Sequence, residues 1–300
     1  MNHQFRSGLL LILSAATGYA FLPSLVRAIY ERSDLQPTDI AVWRFAIATP
    51  LIWLALAWRR RGQPVDLGIA RWRPLSLGLL YAASVLVAFI GLETIPASIY
   101  IVLFYTYPTM VALLSALLGV RLSGWAWLAV GLTLLGVLLT VPNFFGEARS
   151  LDAGGIVLAL LNAASVALYY LLSERLLRRV RDLTLSAAWL ITGCGLTIFA
   201  LLPFQGLRGP QDTTTWLLLA LLASLCTAYP MFALNAAIQR IGSSLASLFS
   251  TVEPVLGIVL AALLLAERVT LQQWLGAALI VTAVALLALV SRSQTNPAEL

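Results

Sequence analysis

The stretch from Ile241 to Val269 reads IGSSLASLFSTVEPVLGIVLAALLLAERV, and its reading decides the fold. It is long and apolar enough to cross a ~30 Å hydrocarbon core, yet Glu253-Pro254 stands inside it. A carboxylate at that depth is expensive, and a proline frees a backbone carbonyl. Both are tolerated where the backbone lies against protein or lines a water-filled cavity. An earlier stretch, Ile95 to Leu122, reads IPASIYIVLFYTYPTMVALLSALLGVRL and carries Tyr107-Pro108 at the matching place. Two interrupted apolar segments at corresponding positions of two halves point to a transport site between them.

The remaining sequence has the same character. The 300 residues are 60% hydrophobic and 11% charged, with a mean hydropathy of +0.91. A soluble domain carries about 25% charged residues, so the composition is that of an integral membrane protein. Ten apolar segments follow in order: 7–30, 40–58, 75–92, 96–120, 125–141, 153–173, 184–204, 215–237, 241–266 and 271–290. They are continuous runs rather than the ~10-residue alternating segments of a barrel. The expected fold class is therefore all-α integral membrane, with ten transmembrane helices. Gly and Ala within the runs suit close helix packing in lipid. The links are short, which makes neighbouring helices antiparallel and leaves no inserted soluble domain.

The net charge of +6 and the pI of about 9.7 do not signal nucleic-acid binding. All 19 basic residues are arginine, and nearly all sit in links between apolar runs, where they read as topology signals. With the N-terminus inside the cell, thirteen fall inside: Arg6, Arg59, Arg60, Arg61, Arg71, Arg73, Arg121, Arg175, Arg178, Arg179, Arg181, Arg240 and Arg292. Five fall outside: Arg27, Arg32, Arg149, Arg208 and Arg268. The positive-inside rule then places both termini in the cytoplasm. Trp53, Trp58, Trp72, Trp125, Trp127, Trp216 and Trp274 lie near segment ends, as interface anchors do. Cys194 and Cys226 sit in apolar runs and read as buried free thiols, with no disulfide or metal framework. The single histidine, His3, is at the terminus, which excludes a histidine metal site or triad. No cofactor is implied. The first apolar run is too long for a signal-peptide core and reads as a retained span.

An internal repeat organises the segments. Ile95–Leu122 aligns with Ile241–Val269 given one inserted residue, Trp127-Leu128 with Trp274-Leu275, and Thr38–Trp43 with Thr184–Trp189. Ser14-Ala15-Ala16-Thr17 resembles Asn162-Ala163-Ala164-Ser165. Any two Leu/Ala-rich stretches look somewhat alike, but here proline, tryptophan and spacing agree together. The units run over 7–143 and 152–292, with five segments each. An odd number makes the second unit enter the membrane upside down, giving two inverted five-helix repeats with binding at the midplane between them.

At this level of detail the chain resembles the EamA family of the drug/metabolite transporter superfamily. The match is carried by Glu253-Pro254-Val255, then Leu264-Leu265-Ala266-Glu267-Arg268-Val269-Thr270, then Trp274-Leu275-Gly276-Ala277-Ala278-Leu279-Ile280. The first half contributes Tyr107-Pro108, Leu117-Leu118-Gly119-Val120-Arg121-Leu122-Ser123 and Trp43-Arg44-Phe45. The resemblance implies a ten-helix carrier that often exports amino acids, metabolites or drugs. The first half departs from it with Val120 where the motif often has Glu. Tyr107 also stands where the second half has Glu253, so a symmetric two-carboxylate mechanism is not implied.

Several polar residues inside the spans have two readings. Glu253 either binds an amino-bearing solute or a proton, or satisfies backbone groups freed by Pro254. Arg44 snorkels, pairs with a carboxylate of a neighbouring span, or binds an anion. Glu93, Glu267 and Arg268 close their spans, where local ion pairing or capping competes with substrate contact. Tyr100, Phe104 and Tyr107 fall at i, i+4 and i+7 and share one face, which Tyr81, Tyr169, Tyr170 and Tyr229 can join. Such tyrosines suit aromatic or amphipathic solutes, or else pack helices with their hydroxyls on backbone. Asn162, Ser165, Thr227, Asn235, Ser247, Ser250 and Thr251 line a path or bond between helices.

Three function classes compete. A secondary transporter of small organic solutes, in contact with lipid and drawing on protons or exchange, accounts for the repeat and the paired prolines. An intramembrane enzyme needs a catalytic constellation, and no span holds one. A binding protein or scaffold without a transport cycle accounts for the spans but not for the absence of soluble loops. No glycine loop followed by Lys is present, which argues against direct ATP drive. The favoured location is a bacterial inner membrane; the oligomeric state does not follow from these residues. A C-terminal fusion should fluoresce as a cytoplasmic reporter and stay silent as a periplasmic phosphatase; the opposite pattern would invert the topology.

Overall fold

The computed structural model describes residues 3–60, 66–120, 122–141, 152–200, 202, 206–265 and 269–294. Arg61, Arg121, Arg149, Glu267 and Arg268 lie outside the described residues. Every regular element among those described is a helix. The first half contains α1 (His3–Ala20), α2 (Leu22–Tyr30), α3 (Pro37–Arg60), α4 (Trp72–Thr94), α5 (Ala97–Phe104), α6 (Tyr107–Leu117) and α7 (Gly124–Thr140). The second contains α8 (Ala153–Leu176), α9 (Leu183–Phe199), α10 (Thr213–Ala223), α11 (Tyr229–Ile241), α12 (Ser243–Ser250), α13 (Glu253–Leu265) and α14 (Leu271–Gln294). Eight helical runs are long and apolar enough to cross a bilayer, and two shorter apolar helices, α7 and α9, accompany them.

Local sequence explains where the helices begin. Ser123, Asp152, Asp182 and Asp212 stand just before α7, α8, α9 and α10, and each side chain accepts a backbone N–H of the first turn. The prolines also start helices rather than kinking them. Pro23, Pro108 and Pro230 occupy the first turn of α2, α6 and α11, and Pro254 is the second residue of α13. Where such a helix follows a turn, as at Pro108 and Pro254, the missing N–H has no intrahelical partner. Pro230 follows a π-helical stretch without a break and leaves the Cys226 carbonyl without its α-helical donor. Pro50 lies in the interior of α3.

Packing joins distant parts of the chain. The most extensive helix contacts are α7 with α14, α4 with both α8 and α9, α1 with α11, and α3 with α9. Each pairs a helix before residue 142 with one after residue 151. Glycines let the backbones approach. A Cβ on Gly78 would stand 2.0 Å from the Leu190 carbonyl oxygen, and one on Gly193 would stand 2.3 Å from that of Leu75. Gly136 and Gly276 face each other's carbonyls in the same way across α7 and α14. In lipid such contacts matter more than usual, since lipid tails already solvate apolar side chains and dispersion at close range provides the attraction.

One end of the bundle carries a clasp of ion pairs among the described residues. Arg60 pairs with Asp182, Arg181 with Asp66, and the Arg181 N–H donates to the Leu67 carbonyl at 3.1 Å. Beneath them Leu56, Leu67 and Leu185 pack with Trp53 and Trp189. Trp53 is half-buried there: its Nε1 donates to Thr192 Oγ1 at 3.0 Å, and its ring meets that of Trp189. Trp58, Trp72, Trp125, Trp127, Trp216 and Trp274 are exposed, as anchors require. Asp66 is held below the usual carboxylate range, first by the Gly68 N–H and then by Arg181. Its contribution is therefore present above the ordinary carboxylate pKa and fades as pH falls through the lowered one.

Gly78→Leu should lower the melting temperature in detergent sharply, because overpacking costs at least ~1–3 kcal/mol. Gly131→Ala, on α7 with open space around it, should leave melting unchanged. Equal melting of the two variants would contradict the close α4–α9 crossing.

Candidate functional site

Two interrupted helices meet at the centre. α12 ends at Ser250, and the turn is closed by Thr251 N–H on the Leu248 carbonyl at 3.3 Å. α13 then starts at Glu253, which places the carboxylate at the positive end of a helix dipole. α5 ends at Phe104, and α6 starts at Tyr107 after a turn closed by Thr106 N–H on Leu103 at 3.2 Å. Pro108 is buried and Pro254 half-buried, so neither break faces the exterior.

Between them lies a cavity of about 440 Å³. Its walls include Ile12, Ala15, Ala16 and Tyr19 of α1, Arg44 of α3, Tyr81, Ser84 and Phe89 of α4, and Tyr100, Phe104 and Tyr107 of α5 and α6. Asn162 and Tyr170 of α8, Leu234 of α11, Ser250 of α12 and Glu253 of α13 complete them. The size suits a small organic molecule. Of the residues singled out in the sequence, Glu253, Tyr81, Tyr100, Phe104, Tyr107, Asn162 and Ser250 come together here. The face shared by Tyr100, Phe104 and Tyr107 survives the helix break between them.

Hydrogen bonds hold the walls. Asn162 Nδ2 donates to Tyr100 Oη at 2.8 Å while its Oδ1 accepts from Ser84 Oγ at 2.5 Å. Tyr170 Oη and Ser250 Oγ share a hydrogen bond of 2.7 Å, and the Tyr170 ring lies 5.6 Å from that of Tyr107. Tyr169 and Asn235 sit behind the wall instead of on it. Asn235 Nδ2 donates to Tyr169 Oη at 2.7 Å, and the Tyr169 ring backs Tyr81 at 5.4 Å. Tyr229 is half exposed and donates to Ser14 Oγ at 2.8 Å, apart from the cavity lining. Tyr105 is buried against Phe104 and Tyr107 without lining the cavity.

The charged residues divide. Arg44 forms no ion pair with a carboxylate among the described residues: its Nε donates to Thr227 Oγ1 at 2.5 Å and its Nη2 to the Cys226 carbonyl at 3.1 Å. Those acceptors belong to a π-helical turn, Ser224–Ala228, between α10 and α11. Glu93 is exposed at the end of α4 and forms no ion pair among the described residues. Among the described residues no group of three or more His, Cys, Asp and Glu could hold a metal.

Tyr19, Ser84 and Phe89 were not singled out from sequence. Ser84, Val85, Ala88 and Leu92 follow Tyr81 at +3, +4, +7 and +11, and Ile12, Ala15, Ala16 and Tyr19 keep the same spacing. Helical periodicity extended from Tyr81 would have found the α4 face.

The cavity leads towards the end where α4 finishes. A second hollow of about 860 Å³ shares Leu22, Arg44, Val85, Phe89 and Leu92 with it and continues to Tyr30, Glu93 and Arg208. The clasped end, with Arg60–Asp182 and Arg181–Asp66, is opposite.

Comparison with known proteins agrees with this architecture. A crystal structure of another protein superposes with a TM-score of 0.79 at 20% identity, covering 96% of this chain and 99% of that one, which shows the shared fold. The uncharacterized transporter sll1319 of Synechocystis sp. is 28% identical over 309 residues, covering 93% of this chain and 92% of that protein. The uncharacterized transporter YcbK of Bacillus subtilis is 28% identical over 257 residues, with 80% of each covered. The profile of the EamA-like transporter family matches twice, over residues 6–141 and 153–289. With nearly its whole length matched in two copies, a bundle of apolar helices and a central cavity, this multi-pass membrane protein belongs to the EamA-like transporter family.

Proposed function

We propose that the protein is a secondary exporter of small organic solutes, working by alternating access around the cavity between two inverted five-helix repeats, 7–143 and 152–292. The ten crossings are α1–α2, α3, α4, α5–α6 and α7, then α8, α9, α10–α11, α12–α13 and α14. The two short helices count as crossings because 17 residues each reach about 26 Å at 1.5 Å per residue. The contacts support the repeat. Exchanging the halves turns α1 against α11 into α8 against α4, and α5–α6 against α8 into α12–α13 against α1. α7 with α14 and α3 with α9 map onto themselves. All of these pairs are in contact. Gly8 meeting Ile241 and Gly155 meeting Ile95, at 2.5 and 2.4 Å from an added Cβ, follow the same exchange.

The observation that carries the function is the position of Glu253. It is a carboxylate on the wall of a 440 Å³ cavity, at the start of a half-helix deep in an apolar run. Intramembrane carboxylates of this kind mark ion and solute paths. In this reading Glu253 takes up the coupling proton, while Tyr81, Tyr100, Phe104, Tyr107, Asn162 and Ser250 contact the solute. Tyr169 and Asn235 brace Tyr81 from behind, and Pro108 and Pro254 mark the points about which the half-helices adjust. The arginine-rich links lie at the clasped end, so with both termini in the cytoplasm of a bacterial inner membrane this conformation faces outward. The ion pairs of the clasp then have to separate for loading from inside.

A solute panel in proteoliposomes, wild type against Glu253→Gln, tests the reading. Glu253→Gln should reduce flux to that of empty liposomes while purifying as a monodisperse protein, and a protonophore should abolish uphill movement by the wild type. Undiminished flux in the variant would remove Glu253 from the mechanism.

A further inference from the structure

Arg44 stands within α3, and no carboxylate among the described residues forms an ion pair with it. Its two hydrogen-bond acceptors, Thr227 Oγ1 and the Cys226 carbonyl, are neutral. The Cys226 carbonyl lacks its α-helical donor because residue 230 is proline, and Thr227 Oγ1 itself reaches back to the Leu222 carbonyl at 2.9 Å. A guanidinium has five N–H donors, and these two bonds leave three of them without an acceptor among the described residues. The acidic residues in the same hollows are engaged elsewhere or apart. Asp39 accepts the N–H groups of Gln36 and Arg208 at 2.9 and 3.0 Å. Glu93 and Glu253 line the hollows, and neither forms an ion pair with Arg44. Arg44 also lies on the wall shared by the central cavity and the hollow beyond it. A solute moving between the two passes this side chain.

We propose that Arg44 is the anion subsite of the cavity and receives a carboxylate of the solute, a deepening that rests on the transport reading above. A planar fork with free N–H groups matches two carboxylate oxygens, whereas a point charge does not. The charge count favours a monoanion. The central cavity is lined by one cation, Arg44, and one acidic residue, Glu253. With Glu253 carrying its proton, a carboxylate neutralises Arg44 one for one, whereas a phosphate dianion leaves an excess negative charge in a poorly screened site. The aromatic walls, with Tyr81, Tyr100, Phe104 and Tyr107, receive the apolar remainder of the molecule. The solute class is thus a carboxylic acid with an aromatic or apolar body.

The test compares two probes of one shape, 3-phenylpropionate and 3-phenylpropionamide, binding to the purified full chain in lipid nanodiscs. Wild type should bind the carboxylate at least ~10-fold more tightly, the scale of a charge-assisted bidentate contact. Arg44→Gln should bring the two probes level. Thr227→Ala removes a neighbour of Arg44 but keeps the guanidinium, and should retain the preference; its loss there would reduce Arg44 to a structural clamp. Where Arg44→Gln does not purify as a monodisperse protein, Arg44→Lys decides, since an ammonium should weaken the preference without abolishing it. An unchanged preference in either Arg44 variant, or no preference for the carboxylate in wild type, overturns the inference. Solute flux by wild type without carboxylate preference sinks the subsite alone. Carboxylate-selective binding with no flux of any solute sinks the transport reading and keeps the subsite.

Discussion

Every feature of this molecule answers to one constraint: in a hydrocarbon solvent each backbone N–H and C=O needs a partner within the protein. An unbroken helix meets it alone. The interruptions at Tyr105–Thr106, at Thr251–Val252 and at the π-helical turn Ser224–Ala228 do not. The chain meets the demand there with i→i−3 bonds, with hydroxyls such as Thr251 Oγ1 on the Leu248 carbonyl, and with the guanidinium of Arg44. The breaks are also turned inward, where they face other helices or the cavity. A cavity and a set of broken helices are thus one solution seen from two sides.

Close approach is the second consequence. With little hydrophobic drive between helices in lipid, backbones must come near enough for dispersion and polar contacts to matter. Gly78, Gly193, Gly136 and Gly276 provide this at the crossings of α4 with α9 and α7 with α14. Those crossings join the two ends of the chain into one bundle. Away from the glycines, the polar pairs Asn162–Tyr100, Asn235–Tyr169 and Tyr170–Ser250 set the orientation of aromatic side chains around the cavity. The cavity walls are held by bonds whose other ends lie on different helices. Wall shape and helix packing are therefore coupled, as rocking motions about a central site require.

Membrane class, the number of apolar segments, the two interrupted stretches and the family were legible from residues 1–300, because each is a property of composition or of residues near in sequence. Glu253-Pro254 and Tyr107-Pro108 identified themselves by being costly where they stand. The spacing of Tyr100, Phe104 and Tyr107 gave a face that line-of-sequence reasoning can see. Less visible was the face of α4 that extends from Tyr81 through Ser84 to Leu92, since its small and aliphatic residues are the ordinary stuff of a lipid-facing helix.

Only the tertiary structure decided which polar residues meet. Tyr229 and Asn235 have the same chemistry as Tyr100 and Asn162, and nothing local separates them; their distance from the cavity follows from how α11 is rotated against α1 and α8. The partner of Arg44 lies more than 180 positions along the chain, in a turn whose π-helical form no residue type announces. Trp53 lies near a segment end, and its bond to Thr192 and ring contact with Trp189 exist because α3 packs on α9. Sequence determined which groups are expensive to place in a membrane; the three-dimensional crossing of helices determined who relieves that expense, because such relief depends on contacts between residues that the chain keeps far apart.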